Sequence, residues 1–466
     1  MLDAILAPIM AFTDWLWGIP MLALITVAAI AYTIALKGFQ FRYFPLIMKN
    51  TFGKIFDKGK GEGTITPFQA AASALASTLG TGNIAGVAVA VSLGGPGAIF
   101  WMWVIASIAI VLKYAEVTLA LKYREKRAGE VEYRGGFMYM VINGLGPKFK
   151  WLATLFAVLF AIEMAIAPAV QSNAVASTVK MSFGVGELIT GSICVVLCGI
   201  VVIGGIKRIA KVADKVVPLM AVMYFSGALV ILAMHVTAIP GAFATIFTAA
   251  LGGAPAGGGF AGATVAMAIR HGLARGIFAH EAGMATAPFA HSQATTDLPG
   301  RQGVWGIFEV FISTFVVCTA TGLVLVTTGI LHTGEPGAAL VTQAFATVFP
   351  GHSGDVLVTI ALVLFAFTTM LVNIYYGEKA FEYFVGPKYI LPYQIVALST
   401  IIMGAVGGLR MIWGLFDFFM GLTVVMNVIV IFFLRKEVVQ CTKELLAKLW
   451  QEDAEKKAAK AAKRAA

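Results

Sequence analysis

The chain has 466 residues, of which 59% are hydrophobic and only 12% are charged. Soluble domains carry about 25% charged residues, so this composition excludes a soluble protein and predicts an all-α polytopic membrane protein embedded in a lipid bilayer. The net charge of +10 lies in loops and in the C-terminal tail, which argues against a nucleic-acid partner.

Apolar runs of about 18–25 residues predict about eleven membrane-spanning helices. In chain order they lie at 18–36, 68–92, 97–121, 151–178, 188–204, 216–236, 241–268, 304–331, 354–376, 389–408 and 412–434. Lysine and arginine concentrate in every second loop, whereas the loop at 237–260 contains neither. The positive-inside rule therefore predicts a plasma (inner) membrane protein with its N-terminus outside and its C-terminus in the cytoplasm.

Setting the first helix aside leaves ten helices, which divide into two groups of five. The predicted segments are an extra N-terminal helix (1–40), a basic cytoplasmic loop (41–65), a first five-helix repeat (66–239), a second five-helix repeat (240–434) and a basic, helical cytoplasmic tail (435–466). Because five is odd, the second repeat has inverted topology, which is typical of transporters that work by alternating access.

The second predicted span carries hydroxyls, glycines and an amide near its middle, in the string STLGTGN at 77–83. Glycine weakens a helix, and backbone groups freed in lipid are tolerated only where they line a cavity. The string therefore predicts an interrupted helix of the kind that holds substrate and ion in secondary transporters. Free amides at a half-helix N-terminus favour a carboxylate, and the residues predicted to hold it are Thr78, Leu79, Gly80, Thr81 and Gly82.

A second interruption is expected at the corresponding position of the second repeat. The seventh predicted span contains a glycine-rich run from Gly252 to Gly262, in which Phe260 is a candidate aromatic gate and Gly262 a candidate substrate-lining residue. The alternative is that this run is an extracellular loop, in which case the break moves to the segment 271–276.

Two strings give the chain a specific family resemblance. GTGNIAGVA at 80–88 and GGPGAIFWMW at 94–103 resemble the signature of the sodium:alanine (alanine or glycine:cation) symporter family, as do ARG at 274–276, EAGM at 281–284 and YYGEK at 375–379. The resemblance covers nearly the whole chain. It implies a LeuT-like fold of ten core helices after one extra helix. It also implies uptake of a small neutral amino acid, such as alanine or glycine, together with Na⁺ and without an organic cofactor.

The resemblance further implies where Na⁺ binds. In the LeuT-like arrangement one ion lies between the first broken helix and the eighth core helix. The implied ligands are the carbonyls of Ala76, Leu79 and Phe365 and the hydroxyls of Thr368 and Thr369. The alternative for the two threonines is that each hydroxyl bonds to the backbone of its own helix.

Three amide side chains complete the candidate site. Asn83 is predicted either to ligate a second ion or to cap the half-helix. Gln171 is carried over from the resemblance as a substrate-facing residue, and its alternative is an interhelical hydrogen bond. Asn373 is a candidate substrate residue that departs from the family pattern, because the family has glycine, tryptophan and serine where this chain has Val372, Asn373 and Ile374.

A carboxylate inside a membrane span costs at least about 2–3 kcal/mol to bury, so each one is expected to have a partner or a functional role. Glu116 is predicted to pair with a neighbouring lysine or arginine. Glu163 and Glu309 are candidate coupling groups, and a proton-coupled carrier is therefore the first alternative to Na⁺ coupling. A channel is a weaker alternative, since broken helices also build pores.

An enzyme is not expected from any motif in the chain. His280 and Glu281 begin like a zinc-protease HExxH string, but position 284 is methionine, so the second histidine ligand is missing and no catalytic residue is predicted. The sequence leaves open which amino acid and which enantiomer is carried, and whether the protein is an oligomer.

Overall fold

The structure is a computed structural model, and it describes residues 2–126, 129, 131–252, 265–333, 337–407 and 409–465. Within these ranges it is almost entirely helical. The α-helices are α1 (Leu2–Leu16), α2 (Ile19–Ala35), α3 (Phe39–Arg42), α4 (Phe44–Thr51), α5 (Pro67–Thr78), α6 (Ala85–Gly94), α7 (Gly97–Lys122), α8 (Phe137–Met140), α9 (Lys150–Phe183), α10 (Glu187–Val202), α11 (Gly205–Met234), α12 (Ile239–Leu251), α13 (Val265–His280), α14 (Ala287–His291), α15 (Pro299–Val310), α16 (Thr319–Thr327), α17 (Gly337–Ala346), α18 (Ser353–Val385), α19 (Ile390–Val406), α20 (Leu409–Phe433) and α21 (Arg435–Ala465).

In the described ranges, eight helices are long and apolar enough to cross a membrane, or nine when the bent pair α5–α6 counts as one span. The predicted count of eleven is not confirmed. The predicted span 188–204 corresponds to α10, whose 16 residues extend only about 24 Å against a hydrocarbon core of about 30 Å. Within the predicted span 241–268, α12 ends at Leu251, where Gly252 has φ +100°, and the rest of the predicted interruption at 252–262 lies outside the described residues.

The helices pack into two groups. One group, called the bundle below, consists of α5, α6, α7 and α13–α16, with α7 packed most extensively against α13 and α15. The other group, called the scaffold, consists of α9, α10, α18 and α19, with α9 packed against α18 and α19. The two groups meet where α5 crosses α18, and α11 packs against both of these helices.

The N-terminal helices lie beside this core. α1 packs on α20, and α2 packs on α7 and α20. Trp17 Nε1 donates a hydrogen bond of 2.8 Å to the carbonyl oxygen of Asp417, and Tyr32 Oη donates one of 2.5 Å to the carbonyl oxygen of Ile431. These contacts attach the extra segment to α20 without bringing it to the broken helix.

The C-terminal segment forms one 31-residue helix, α21, as its alanine and lysine content predicts. The helix packs on α15 and α7, with Val438 and Leu445 buried. Arg301 at the start of α15 donates two hydrogen bonds to Glu452, of 2.7 and 3.2 Å. The tail therefore joins the end of the bundle instead of extending freely.

Candidate substrate and ion site

The first broken helix begins at a strong cap and ends at the predicted string. Thr66 and Gln69 form a capping box, and Pro67 occupies the first helical turn. α5 then ends at Thr78, and the following pair of helical segments is bent by 66°. Gly80 is extended, with φ −111° and ψ −162°, and a 3₁₀ turn precedes α6. The predicted interruption is present where the glycines and hydroxyls weaken the helix.

Asn83 holds the first break in place through buried hydrogen bonds. Its Oδ1 accepts a hydrogen bond of 3.2 Å from the Gly80 amide, and its Nδ2 donates one of 3.1 Å to the carbonyl of Ala279. Thr321 Oγ1 donates to the Asn83 carbonyl at 3.1 Å. The Asn83 side chain therefore caps the 3₁₀ turn at 81–83, whereas the N-cap of the half-helix α6 is Ile84, which makes no side-chain cap hydrogen bond. Ion ligation by Asn83 stays a prediction.

The second break lies at residues 281–286, between α13 and α14. The segment 271–276 was the alternative position for this break, and that prediction is wrong because α13 runs uninterrupted through it. The backbone turns through positive φ at Glu281 (+52°), Gly283 (+94°) and Ala285 (+61°). Non-glycine residues in this region cost about 1–3 kcal/mol each, so surrounding contacts must hold the turn. Phe260 and Gly262 lie outside the described residues.

Glu116 supplies the contacts that hold the second break. Its carboxylate accepts hydrogen bonds from the amides of Gly283 at 3.1 Å and Ala285 at 2.8 Å, and from Asn427 Nδ2 at 2.5 Å. A structural role for Glu116 was expected, but the expected lysine or arginine partner is replaced by the amides that the break frees. Lys113, one turn away, is directed toward Glu281 and Glu309.

A cavity of about 40 Å³ lies between the two breaks and the scaffold. Five predicted substrate residues line it, namely Thr78, Gly80, Gly82, Gln171 and Asn373. Leu79 and Thr81 are not among the lining residues. Thr81 still reaches the site indirectly, because its hydroxyl donates to Gln171 Oε1 at 3.3 Å.

Three of the five predicted Na⁺ ligands converge at the crossing of α5 and α18. Thr369 Oγ1 lies 2.9 Å from the carbonyl oxygen of Ala76 and 2.9 Å from that of Phe365. These oxygens are neutral and hard, which suits a hard cation such as Na⁺. Thr368 Oγ1 instead bonds to the Phe365 carbonyl at 3.0 Å, within its own helix, as its alternative predicts. Leu79 is fully buried at the end of α5.

The two candidate coupling carboxylates lie in different surroundings. Glu163 lines the cavity and accepts a hydrogen bond of 2.7 Å from Thr423. Glu309 is not among the lining residues; it bonds to His291 Nε2 and lies 3.7 Å from Lys113 Nζ. The structure therefore brings Glu163, and not Glu309, to the cavity.

Glu281 is a cavity residue that the sequence analysis did not assign to the site. Its carboxylate accepts hydrogen bonds from Thr286 at 2.6 Å, Thr78 at 3.2 Å and Ser77 at 3.2 Å, so it joins the two breaks. The EAGM string and the rarity of carboxylates inside apolar segments were the available signals.

Comparison with known proteins identifies the family. The model of the sodium:alanine symporter family matches residues 3–460. The sodium/alanine symporter AgcS of Methanococcus maripaludis is 42% identical over 437 residues, which cover 92% of this chain and 95% of AgcS. The Bacillus subtilis protein named "Probable sodium/glutamine symporter GlnT" is 38% identical, and the match covers 92% of this chain and 88% of GlnT.

Solved structures agree at the level of the fold. The crystal structure of MhsT in complex with L-phenylalanine has a TM-score of 0.57 at 11% identity, and the match covers 80% of this chain and 96% of MhsT. The LeuT-like, all-helical fold is confirmed by this similarity. The family resemblance of the glycine-rich strings is confirmed as well. Membership of this family supports cation-coupled amino-acid symport as the general activity. This chain is an integral membrane protein that belongs to the sodium:alanine symporter family.

Proposed function

We propose that this protein is a symporter that takes up a small neutral amino acid, of the alanine or glycine type, together with Na⁺ by alternating access. The observation that carries the proposal is the contact of Thr369 with the carbonyls of Ala76 and Phe365. This contact joins the bundle to the scaffold next to the cavity. An ion held there binds both groups at once, so it favours one of their relative arrangements over the other.

The cavity suits a small amino acid. The half-helix N-terminus after Gly80 and Gly82 favours a carboxylate, and Gln171 faces Gly80 closely enough that a Cβ there would lie 3.7 Å from its amide. The small volume of about 40 Å³ favours a short side chain. Val372 is buried but does not line the cavity. The names of AgcS and GlnT, for alanine and glutamine, both support a neutral substrate.

The division of the helices into bundle and scaffold provides the movement that transport needs. Substrate and Na⁺ enter between bundle and scaffold, and the bundle rocks against the scaffold until the cavity opens to the other side. With basic loops inside, the N-terminus lies outside the plasma membrane, the tail α21 lies in the cytoplasm, and the direction of transport is inward.

Uptake into proteoliposomes tests the proposal. The panel consists of labelled L- and D-alanine, glycine, serine and glutamine, under an inward Na⁺ gradient and, separately, an inward proton gradient. We expect saturable, Na⁺-driven accumulation of alanine or glycine. Unsaturable flux would favour a channel, and accumulation of none of these compounds would overturn the substrate class.

One observation favours a proton-coupled carrier as the second candidate. Glu163 is buried at the cavity wall and is hydrogen-bonded by the Thr423 hydroxyl, a neutral partner. A carboxylate in that position can take up a proton from the cavity. Accumulation driven by protons alone, abolished in Glu163→Gln, would establish this alternative, and uptake by Glu163→Gln with an unchanged pH dependence would remove it.

A further inference from the structure

One corner of the cavity is rich in hydrogen-bond acceptors. Ser77 Oγ lies 3.2 Å from Glu281 Oε1 and 3.1 Å from Asn373 Oδ1, and all three residues line the cavity. A serine hydroxyl has one proton, so it satisfies one of these two oxygens at a time. The corner formed by Ser77, Glu281 and Asn373, called the acceptor corner below, is therefore able to accept a further donor.

The two oxygens of Glu281 have different surroundings. Oε2 accepts a hydrogen bond from Thr286 at 2.6 Å and also lies 3.2 Å from Thr78 Oγ1 and 3.3 Å from Ser77 Oγ. Oε1 shares the single proton of Ser77 with Asn373. The side chain of Glu281 is 14% exposed, whereas Lys113 and Glu309 are fully buried. Glu281 thus lines the cavity with a carboxylate whose Oε1 has, among the described residues, no hydrogen-bond donor other than Ser77.

The charges around Glu281 do not balance. Lys113 Nζ lies 3.9 Å from Glu281 and 3.7 Å from Glu309, so one ammonium faces two carboxylates. His291 contacts Glu309 through Nε2, and its Nδ1 lies 2.9 Å from Gln302 Nε2. Two carboxylates that share one ammonium in a buried setting favour a further cationic group beside them.

We propose that Glu281 holds the α-ammonium group of the transported amino acid, with Asn373 and Ser77 as the other oxygen acceptors. This inference rests on the proposed function and deepens it. The ammonium brings three donors and a positive charge to the acceptor corner. The carboxylate of the same molecule faces the amides after Gly80 and the side chain of Gln171. The cavity therefore recognises a zwitterion by its two ends.

Competition by a 2-hydroxy acid tests the assignment directly. L-Lactate has the size of L-alanine but a hydroxyl in place of the ammonium, so wild-type protein is expected to prefer alanine strongly. Glu281→Gln removes the charge at the corner. We expect it to reduce the alanine-over-lactate preference by about tenfold to a hundredfold, the usual effect of losing a hydrogen bond between charged groups. An unchanged preference in Glu281→Gln would overturn the inference.

Two further variants test whether a changed preference reflects recognition of the ammonium group or a general disturbance of the fold. Glu187→Gln removes a carboxylate that does not line the cavity and that pairs with Lys180 at 2.9 Å, and it is expected to keep the wild-type preference. Asn373→Asp adds a negative charge to the acceptor corner without changing its shape and is expected to raise the preference. Asn373→Asp therefore tests the inference even where Glu281→Gln does not fold, and a preference unchanged by Asn373→Asp would count against it.

The same assay distinguishes Na⁺ from ammonium at this corner. If Glu281 held Na⁺, Glu281→Gln would raise the Na⁺ concentration for half-maximal uptake and leave the alanine-over-lactate preference intact, which would overturn the assignment. A wild-type protein that accumulates no amino acid would overturn the proposed function and this inference together. Wild-type uptake of alanine with an unaltered preference in the variants would overturn only the inference.

Discussion

At the scale of single residues, two adjacent threonines on α18 have different contacts. Thr369 reaches across to Ala76 of the first broken helix, whereas Thr368 bonds to Leu364 and Phe365 of its own helix. The hydroxyl of Thr369 therefore lies where a cation would join bundle and scaffold. Hydroxyl and carbonyl oxygens do not ionise near neutral pH, which suits binding of Na⁺ better than binding of H⁺.

Replacing Thr369 tests its part in Na⁺ binding. We expect Thr369→Ala to raise the Na⁺ concentration for half-maximal uptake by about tenfold or more, because one coordinating oxygen is lost from a buried site. Thr369→Ser is the control, since it keeps the hydroxyl and is expected to stay near the wild-type value. Equal Na⁺ dependence of all three proteins would contradict the proposed site.

At the scale of helices, the scaffold depends on close backbone contact. A Cβ built on Gly404 of α19 would lie 2.1 Å from the carbonyl oxygen of Ala169 on α9. Ser172 and Asn173 strengthen the same contact by donating to the carbonyls of Ile401 at 2.7 Å and Gly404 at 2.9 Å. Small residues at helix contacts allow the backbones of neighbouring membrane helices to approach this closely.

We therefore expect Gly404→Ala to lower the stability of the protein by about 1–3 kcal/mol, the usual cost of overpacking. Thermal unfolding of purified protein in detergent measures the effect as a lower Tm. Gly407→Ala serves as the control, because nothing lies within 4 Å of a Cβ at that position. Equal Tm values for the two variants would show that α9 and α19 can separate without cost.

The contact between α21 and α15 depends on pH in a defined direction. The hydrogen bonds from Arg301 hold the pKa of Glu452 below its usual value. A depressed carboxyl pKa stabilises the contact above the unfolded value of about 4.3, and this contribution is lost as the pH falls through the lower folded value.

Hydrogen exchange of α21 measures this contribution. We expect Glu452→Gln to reduce the protection of α21 at pH 7. The difference from wild type should shrink below the unfolded pKa of about 4.3 and disappear as the pH falls through the lowered pKa of folded Glu452. Glu444→Gln, on an exposed residue that accepts a hydrogen bond from Gln440, should leave protection unchanged. A difference that persists at low pH would show that another contact holds the helix.

At the scale of the whole molecule, transport requires that bundle and scaffold move as separate bodies. Lys148 and Lys388 are exposed at the starts of α9 and α19 in the scaffold, and Lys443 is exposed on α21, which packs on the bundle. The four native cysteines are buried, so labels introduced at the lysine positions can be selective.

Spin-label distances between these positions test the rocking movement. We expect the distance between labels at Lys443→Cys and Lys388→Cys to change by several ångströms when Na⁺ and substrate are added. The distance between labels at Lys148→Cys and Lys388→Cys, both in the scaffold, should stay constant. A change within the scaffold would contradict rigid-body movement, as would a constant distance between the two groups.

The two breaks differ in how much of them the sequence predicts. The first is visible in STLGTGN because glycine and hydroxyl residues weaken a helix by local chemistry. The alternative position at 271–276 is wrong for the second break, which lies at 281–286 because Glu281 and Ala285 adopt positive φ, which neither residue favours on its own. Contacts from Glu116 and Asn427 hold this turn, and they lie far from it in the chain.

The sequence by itself determined the membrane class, the family and the first break, because composition, glycine-rich strings and local helix weakness are properties of neighbouring residues. Only the tertiary structure decided which side chains share the cavity. Ser77, Glu281 and Asn373 come from three separate helical regions, and Thr369 meets Ala76 across 293 positions. Such proximity depends on how the bundle packs against the scaffold, and no local pattern in the chain specifies that packing.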